Sequence, residues 1–471
     1  MPSSSEADAE SRPRIALVLS GGGARGGAHI GVLRVLERAG VPIDLIVGSS
    51  YGALVGGLYA AGYSVDDIEQ VITATNWQEI TNDSPDRRLL NINRKFSGDR
   101  QLIALRMDKL EPQLPQGLFA GQKIQQLLNR LTLRATYEAR NDFDRLSVPF
   151  RAIVTDILTG DQVVLKNGML STAIRASIAV PGLFTPVSTE DTHWVDGGIA
   201  NNLPVDVALD LGAEFVIAVD CATPLRTQKN QVKNFLDVLD QAISFRIEEK
   251  KRENRQRAHV VIMPELKGFE AGDFNRSYEL ISLGEAAAMD RLSEIGTGLG
   301  IERLHREGDL RDVLLPANFD PNIWPGLPLE VVIDSIQIVG LKRYHTEDFR
   351  KHIQLSVNTP ISSEALDLEV SRLYATGLFQ TVDYHLLVRN NHTVLILSVL
   401  ENSRTNLGVG LHYDQDFQLV ALSELFRHNA LGQGSEFFFR GVLGKLKFVE
   451  SGVAFRPLWG PRIHLDASWW D

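Results

Sequence analysis

Short apolar, β-branched runs alternate with helical stretches along the first two thirds of the chain. Strands are expected at residues 15–19, 43–47, 150–155, 215–220 and 260–263, with helices at 30–36 and 53–61 among them. Alternation of this kind predicts a mostly parallel sheet with helices on both faces. Gly40, Gly62 and Gly212 sit where glycines end helices, and Pro204 suits a first helical turn. The charged run at 246–257 reads as a solvated helix face. Pro316, Pro321, Pro325 and Pro328 then mark a linker, because proline at that density defeats helix and inner strand alike. Beyond it, a strand at 331–339, helices at 346–354 and 362–374, and a strand pair at 381–388 and 393–399 around Asn390 and Asn391 form a compact α+β unit.

The last segment changes period. Leu407, Val409, Leu411 and Tyr413 alternate with Gly408, Gly410, His412 and Asp414, and Ile463, Leu465, Ala467 and Trp469 alternate with His464, Asp466 and Ser468. Phe437 and Phe439 alternate with Glu436 and Arg440, and turn residues such as Gly432–Gly434 and Trp459–Gly460–Pro461 separate the runs. Period-two alternation over roughly ten residues per run is the signature of a transmembrane β-barrel. About five strands fit, fewer than the even number of eight or more that closes a bacterial barrel. The expectation is therefore that the remainder of the barrel, and a signal peptide, lie outside this chain.

Composition narrows the function. The chain has 471 residues, 44% of them hydrophobic and 23% charged, which supports several buried cores. Its net charge of −11 argues against a nucleic-acid partner, because phosphate contacts need a concentrated basic surface. A single cysteine, Cys221, excludes a disulfide framework or a multi-cysteine metal site. The uncharged stretch 45–65 is long enough to span a bilayer, but five glycines and three serines within it favour a buried strand, turn and helix. The polar residues 1–14 contain no apolar signal core.

Three motifs carry chemistry. Ser20-Gly21-Gly22-Gly23-Ala24-Arg25-Gly26-Gly27 follows the first strand and opens a helix, so that backbone N–H groups can converge on an anion. Gly21, Gly23 and Gly26 also fit a dinucleotide fingerprint, but Asp44 begins the second strand instead of ending it, which argues against that use. Gly48-Ser49-Ser50-Tyr51-Gly52 between a strand and a helix is a nucleophile elbow that exposes Ser50 Oγ. The nucleophile needs a base, and Asp196-Gly197-Gly198 offers a turn-borne carboxylate. His29 and His193 precede that acid, while His259, His305 and His345 lie in charged or remote segments, so a Ser–Asp dyad is the economical reading.

These blocks resemble the patatin-like phospholipases. The glycine block, the elbow and the Asp-Gly-Gly motif match, as does Ala176-Ser177 with Pro181 and Phe184; Ser49-Ser50-Tyr51 departs from the usual Thr-Ser-Met. The α+β unit resembles one POTRA module, and the whole chain resembles patatin-type autotransporters of Gram-negative bacteria. The resemblance implies an α/β fold class: a three-layer α/β/α patatin-like domain over 15–316, a Pro-rich linker at 317–330, a POTRA-like α+β domain over 331–402, and the first strands of a transmembrane β-barrel over 403–471. It further implies a phospholipase A-type lipid acyl hydrolase without cofactor or metal, acting on phospholipid or other membrane lipid. Ser50 would be the nucleophile and Asp196 the base, with Gly21, Gly22, Gly23, Arg25 and Gly26 forming the oxyanion hole. The Arg25 side chain would either brace the loop or contact a substrate phosphate. Leu54, Leu118, Phe119 and Phe184 are the residues on which pocket shape would depend. The expected location is the outer membrane, with the lipase domain surface-exposed or secreted and with outer-membrane lipid and barrel-assembly machinery as partners. The rival expectation is a POTRA–barrel secretion or assembly protein whose patatin domain is inactive.

Overall fold

The computed structural model describes residues 12–90, 103–300 and 330–470, apart from short segments at 109–110, 114–115, 190, 223–224, 226, 229–234, 351–352, 390–391, 404, 415–417, 429–434, 446 and 456–462. Most of the polar start, the proline-rich linker and the turns expected at 390–391, 432–434 and 459–461 thus lie outside the described residues.

The first domain comprises β1 (Ile15–Leu19), α1 (Ala28–Arg38), β2 (Leu45–Ser49), α2 (Tyr51–Ala60), α3 (Gln122–Glu138), β3 (Phe150–Asp156), α4 (Leu170–Ser177), β4 (His193–Asp196), β5 (Phe215–Val219), α5 (Phe235–Arg257), β6 (Val260–Ile262) and α6 (Ser277–Leu299). Its sheet runs β6-β5-β1-β2-β3-β4, parallel from β6 to β3, with β4 antiparallel to β3. All five residues of β1 are buried because the sheet is covered on both sides, which is why its strands read as continuous apolar runs. Leu17, Leu19, Ile46, Ile217 and Val219 face the core shared with α1, α2 and α6. Ala16, Val18, Val47, Val216 and Ala218 face the opposite core, with Val205 and Ala208. Three layers result.

Two helical expectations change. Pro204 is the residue before the short helix Val205–Asp210, not within its first turn. On α5, Lys251 is 2% exposed and Asn254 1% exposed, so the charged run is not simply a solvated face. Lys251 and Arg255 both pair with Asp220 and Glu248, pinning α5 beside the end of β5. No helix among the described residues is long and apolar enough to cross a membrane, and residues 45–65 form β2 and α2 and begin the helix Val65–Ala74.

The second domain contains β7 (Ser335–Val339), α7 (Ser363–Ala375), β8 (Phe379–Arg389) and β9 (His392–Glu401), in a sheet of order β7-β9-β8. The single strand expected at 331–339 is broken. Glu330–Val332 pairs with Pro360–Ser362, while β7 joins β9. The break sits at Asp334, whose carboxylate accepts the Thr393 N–H at 2.6 Å. That side chain occupies the ladder position a continuing strand would need.

The first and second domains pack tightly. Gln122 of α3 donates to Val382 O at 2.7 Å and accepts from Val382 N at 2.8 Å, so one side chain stands in for a neighbouring strand at the edge of β8. Asn129 Nδ2 donates to Asp383 Oδ1 at 2.7 Å, and Tyr374 O–H donates to Asp83 O at 2.8 Å. Leu133 of α3, 2% exposed, belongs to the second domain's own core with Val370, Tyr384 and Leu395. Leu133→Ala is expected to destabilise the whole chain by about 3 kcal/mol, because it leaves a cavity between two packed surfaces. Denaturant unfolding of the full chain measures this, and an unchanged midpoint would mean the two domains are not held by that contact.

Five antiparallel strands follow: β10 (Thr405–Asp414), β11 (Gln418–His428), β12 (Ser435–Leu443), β13 (Phe448–Phe455) and β14 (Ile463–Trp470). They pair in sequence, and a hairpin of the first domain, Ile103–Asp108 with Glu111–Gln113, extends their sheet by pairing Met107 with Thr405 and Ile103 with Val409. The sheet is open. One face exposes Val409, Leu411, Leu419, Phe439, Leu465 and Trp469. Across the strands, Arg440 bonds Glu424 at 2.9 Å and Glu450 at 2.8 Å, an ion-paired row around a Glu424 that is only 2% exposed. This ion-paired row lies on the face opposite the exposed apolar residues.

Candidate active site

The turn after β2 presents Ser50 with φ 52° and ψ −125°, a conformation that L-residues rarely adopt and that costs on the order of 1–3 kcal/mol. Several bonds hold it. Ser50 N–H donates to Ser177 Oγ at 2.9 Å, Ser177 Oγ donates to Ile153 O at 2.6 Å, and Ser50 O accepts from Ala53 N at 2.9 Å as α2 begins. Glycine at 52 is obligatory because a Cβ there would stand 2.3 Å from Leu19 O.

Register brings the acid to the nucleophile. Ser49 lies opposite Ile153, and the next residue of β3, Val154, lies opposite Asp196. Ser50 Oγ donates to Asp196 Oδ2 at 2.6 Å. Asp196 Oδ1 accepts from Gly198 N at 2.7 Å, and Thr155 Oγ1 donates to the Asp196 backbone carbonyl at 2.8 Å, so both the carboxylate and the main chain of this residue are held. Asp196 is 6% exposed. Burial pushes its pKa up to about 6, against the lowering effect of its hydrogen bonds to Ser50 and Gly198. Ser49 points elsewhere: its buried Oγ has no hydrogen-bond partner among the described residues and lies against Gly197.

The glycine loop lies at the carboxyl end of β1, beside β5, where the chain leaves in opposite directions from neighbouring strands. Its members divide into distinct roles. Gly21 N–H is taken by Asn202, at 2.8 Å to Oδ1, and Ala24 N–H by Ala271 O at 2.8 Å. Gly26 packs on Tyr51, where a Cβ would meet the ring at 2.4 Å. Gly21 N–H is therefore spent within the loop, and Gly26 is fixed by its close packing on Tyr51. Among the described residues, no hydrogen-bond acceptor is found for Gly22 N–H, and none for Gly23 N–H. The Arg25 side chain is spent on carbonyls: Nε to Cys221 O at 3.1 Å, Nη1 to Leu266 O at 2.9 Å and Phe269 O at 3.0 Å, and Nη2 to Ala222 O at 3.1 Å.

Sequence reasoning set His29 aside. Fully buried, its Nε2 lies 2.8 Å from Ser20 O and its Nδ1 3.6 Å from Cys221 Sγ. Burial lowers its pKa to about 4, so it stays neutral, and a neutral ring with Nε2–H bonded to Ser20 O supports the glycine loop from beneath. His193 instead bonds Ser188 Oγ at 2.9 Å, and His259 Nδ1 accepts from Val216 N at 3.1 Å. His345 carries no contact in the site, and His305 lies outside the described residues. Asn202 and Thr155, which belong to no motif, also serve the site, through Gly21 N–H and the Asp196 carbonyl. Asn202 directly follows the Asp-Gly-Gly turn by only a few residues, and that adjacency was the available clue.

Beside the dyad, Gly117–Phe119 pairs in parallel with Gly182–Phe184. Phe119 and Phe184 turn inward, with ring centroids 6.1 Å apart, while Leu118 and Leu183 face solvent. Leu54 is buried in the main core.

Comparison with known proteins finds relatives of the first domain. A protein of Caenorhabditis elegans named as containing a patatin-like phospholipase domain is 36% identical over 208 residues, covering 44% of this chain and 13% of its own. An uncharacterized protein of the NTE family from Mycobacterium bovis is 34% identical over 210 residues, covering 44% of this chain and 49% of its own. The chain thus spans about half the length of the mycobacterial relative and far less of the nematode one. The crystal structure of VipD from Legionella pneumophila aligns over 60% of this chain and 67% of that one at 14% identity, with a TM-score of 0.36. The family model for patatin-like phospholipases matches residues 17–209, a span that contains the glycine loop, Ser50 and Asp196, and this part of the chain is a patatin-like phospholipase domain.

Proposed function

We propose that the chain is a serine lipid acyl hydrolase of the phospholipase A type. The observation that carries the reading is the 2.6 Å bond from Ser50 Oγ to Asp196 Oδ2, made at a strained elbow next to the glycine loop, where a Cβ on Gly21 would stand 3.5 Å from Ser50 Oγ. Asp196 takes the Ser50 hydroxyl proton as Oγ bonds to the ester carbonyl carbon. The Gly22 and Gly23 N–H groups receive the oxyanion, each worth roughly 3 kcal/mol in the transition state. The C–O bond to the lipid alcohol then breaks, and the leaving oxygen takes the proton back from Asp196. Water attacks the acyl-serine with Asp196 again accepting a proton, the fatty acid leaves, and Ser50 regains its hydrogen. Arg25 keeps the loop in place by its carbonyl bonds.

A fluorophosphonate probe is expected to label Ser50, identified by mass spectrometry, and the full chain is expected to release fatty acid from phosphatidylcholine vesicles in excess EDTA. Labelling at Ser49, or activity restored only by added Ca²⁺, would sink the dyad. The pH profile follows from Asp196, which must be ionised to accept the proton. Its pKa is raised to about 6, so kcat/KM should rise tenfold per unit below about pH 6 and level off above it. An acidic limb near pH 4 would assign the base to a less buried group.

The POTRA-like and barrel readings of residues 331–402 and 403–471 belong to the same proposal. An exposed apolar face over a charged one, in strands of eight to eleven residues, suits insertion of β10–β14 into an outer membrane as part of a barrel that carries the lipase domain to the surface. The rival, a secretion or assembly protein with an idle first domain, predicts no fluorophosphonate labelling.

A further inference from the structure

Two neighbouring asparagines follow the Asp-Gly-Gly turn, and their side chains are used differently. Asn201 is fully buried and fully committed. Its Nδ2 donates to Gln162 Oε1 and to Asp206 Oδ1, both at 2.7 Å, and its Oδ1 accepts from Asn254 Nδ2 at 3.0 Å. Asn202 is 8% exposed and only half committed. Its Oδ1 accepts from Gly21 N–H at 2.8 Å, and because a backbone N–H can only donate, that bond fixes which end of the amide is oxygen. The other end, Nδ2, makes no hydrogen bond among the described residues and keeps accessible surface.

That amide lies between the two halves of the catalytic machinery. A Cβ on Gly21 would stand 2.5 Å from Asn202 Oδ1 and 3.5 Å from Ser50 Oγ. One on Gly198 would stand 3.1 Å from Asn202 Oδ1 and 2.9 Å from Asp196 Oδ1. A single glycine thus separates Asn202 from the nucleophile on one side and from the base on the other. Asp196 does not take the spare N–H groups, since its Oδ1 accepts from Gly198 N and its Oδ2 from Ser50 Oγ. Gly21, which Asn202 holds, directly precedes Gly22 and Gly23, whose N–H groups the proposed reaction gives to the oxyanion. The backbone here is also tied down: Gly21 N lies 3.3 Å from Asn202 O, and Leu203 O accepts from Asn254 Nδ2 at 2.8 Å. A fixed amide with an open N–H, set among buried groups, is a donor that stabilises developing negative charge without having to reorganise.

We propose that Asn202 Nδ2 is a third donor to the oxyanion, beside Gly22 N–H and Gly23 N–H, while Oδ1 of the same side chain fixes the loop that carries them. The proposal rests on the hydrolase reading, since it is the attack by Ser50 that creates this charge. No bond forms or breaks at Asn202. The ester carbonyl oxygen gains the charge as Ser50 Oγ adds, shares it with the three N–H donors, and returns it to the carbonyl bond as the alcohol leaves.

The test uses the full chain reacted with a fluorophosphonate, whose adduct on Ser50 places a phosphoryl oxygen where the oxyanion stands. In the crystal structure of that adduct, this oxygen should lie within about 3.2 Å of Asn202 Nδ2, and a separation above about 4 Å overturns the proposal. Asn202→Ala should lower kcat on phospholipid by about 10²- to 10³-fold with little change in KM, and should slow the labelling of Ser50 in parallel. A variant that labels and turns over at the unmutated rate also overturns it. The adduct structure needs no substitution, so it decides the matter even if Asn202→Ala fails to fold. A chain that the probe leaves unlabelled at Ser50 refutes the hydrolase reading and the third donor together. Labelling at Ser50 with the phosphoryl oxygen remote from Nδ2 refutes the third donor alone.

Discussion

Ser50→Ala is expected to lower kcat on phospholipid by roughly 10⁴-fold, Asp196→Asn by a similar factor, and the double variant by little more than either. The non-additivity follows from geometry. One proton moves along the 2.6 Å line between Ser50 Oγ and Asp196 Oδ2, and removing either end stops the same step. Asp196→Asn carries a second expectation of opposite sign. The folded protein keeps the Asp196 proton up to about pH 6, whereas an unfolded chain releases it near 3.8. Stability from this group is therefore whole below 3.8, falls as pH rises between those values, and stays low above 6. A neutral Asn escapes that loss, so the inactive variant should be more stable at pH 7.5 by up to roughly 3 kcal/mol. Thermal melts of both proteins at pH 4 and 7.5 check it. Additive losses in the double variant, or an Asn variant less stable at pH 7.5, would show that the pair is not a single buried proton-transfer unit.

Gly22→Ala is expected to cost about 10²- to 10³-fold in kcat with little change in KM. A Cβ at residue 22 would stand 2.6 Å from Cys221 O, a backbone atom that already accepts from Arg25 Nε. Neither partner can yield cheaply, so the loop must shift and carry the Gly22 N–H away from the oxyanion. Fluorophosphonate labelling of Ser50 should slow in parallel, since it passes through the same charged geometry. A full-rate Gly22→Ala enzyme would remove Gly22 from the oxyanion role.

Much of the first domain was legible in the chain because its signals are local. Apolar runs such as Ile15–Leu19 and Phe215–Val219 mark strands buried on both faces, and a Gly-x-Ser-x-Gly after a strand marks a turn that only small neighbours permit. The barrel-like alternation of β10–β14 was equally visible, although the open sheet that these strands form takes in a hairpin from residues 103–113 that no pattern announced. Strand pairing between distant segments depends on which edges remain free once the rest has folded, and a local window cannot see an edge.

The residue types at the elbow, the glycine loop and the Asp-Gly-Gly turn were set by sequence alone, since each depends on steric limits acting over a few residues. Tertiary structure decided what those residues do. It spends Gly21 on Asn202 and the Arg25 side chain on four carbonyls, and it places a neutral His29 under Ser20. It also buries the Asp196 carboxylate so that burial outweighs its hydrogen bonds and lifts its pKa to about 6. Leu133 shows the same division: an ordinary apolar residue on a helix, it becomes part of another domain's core only when α3 meets α7 and β8. Hydrogen-bond partners and desolvation are properties of what surrounds a group in space, and for these residues the surroundings come from segments up to about half the chain away in sequence.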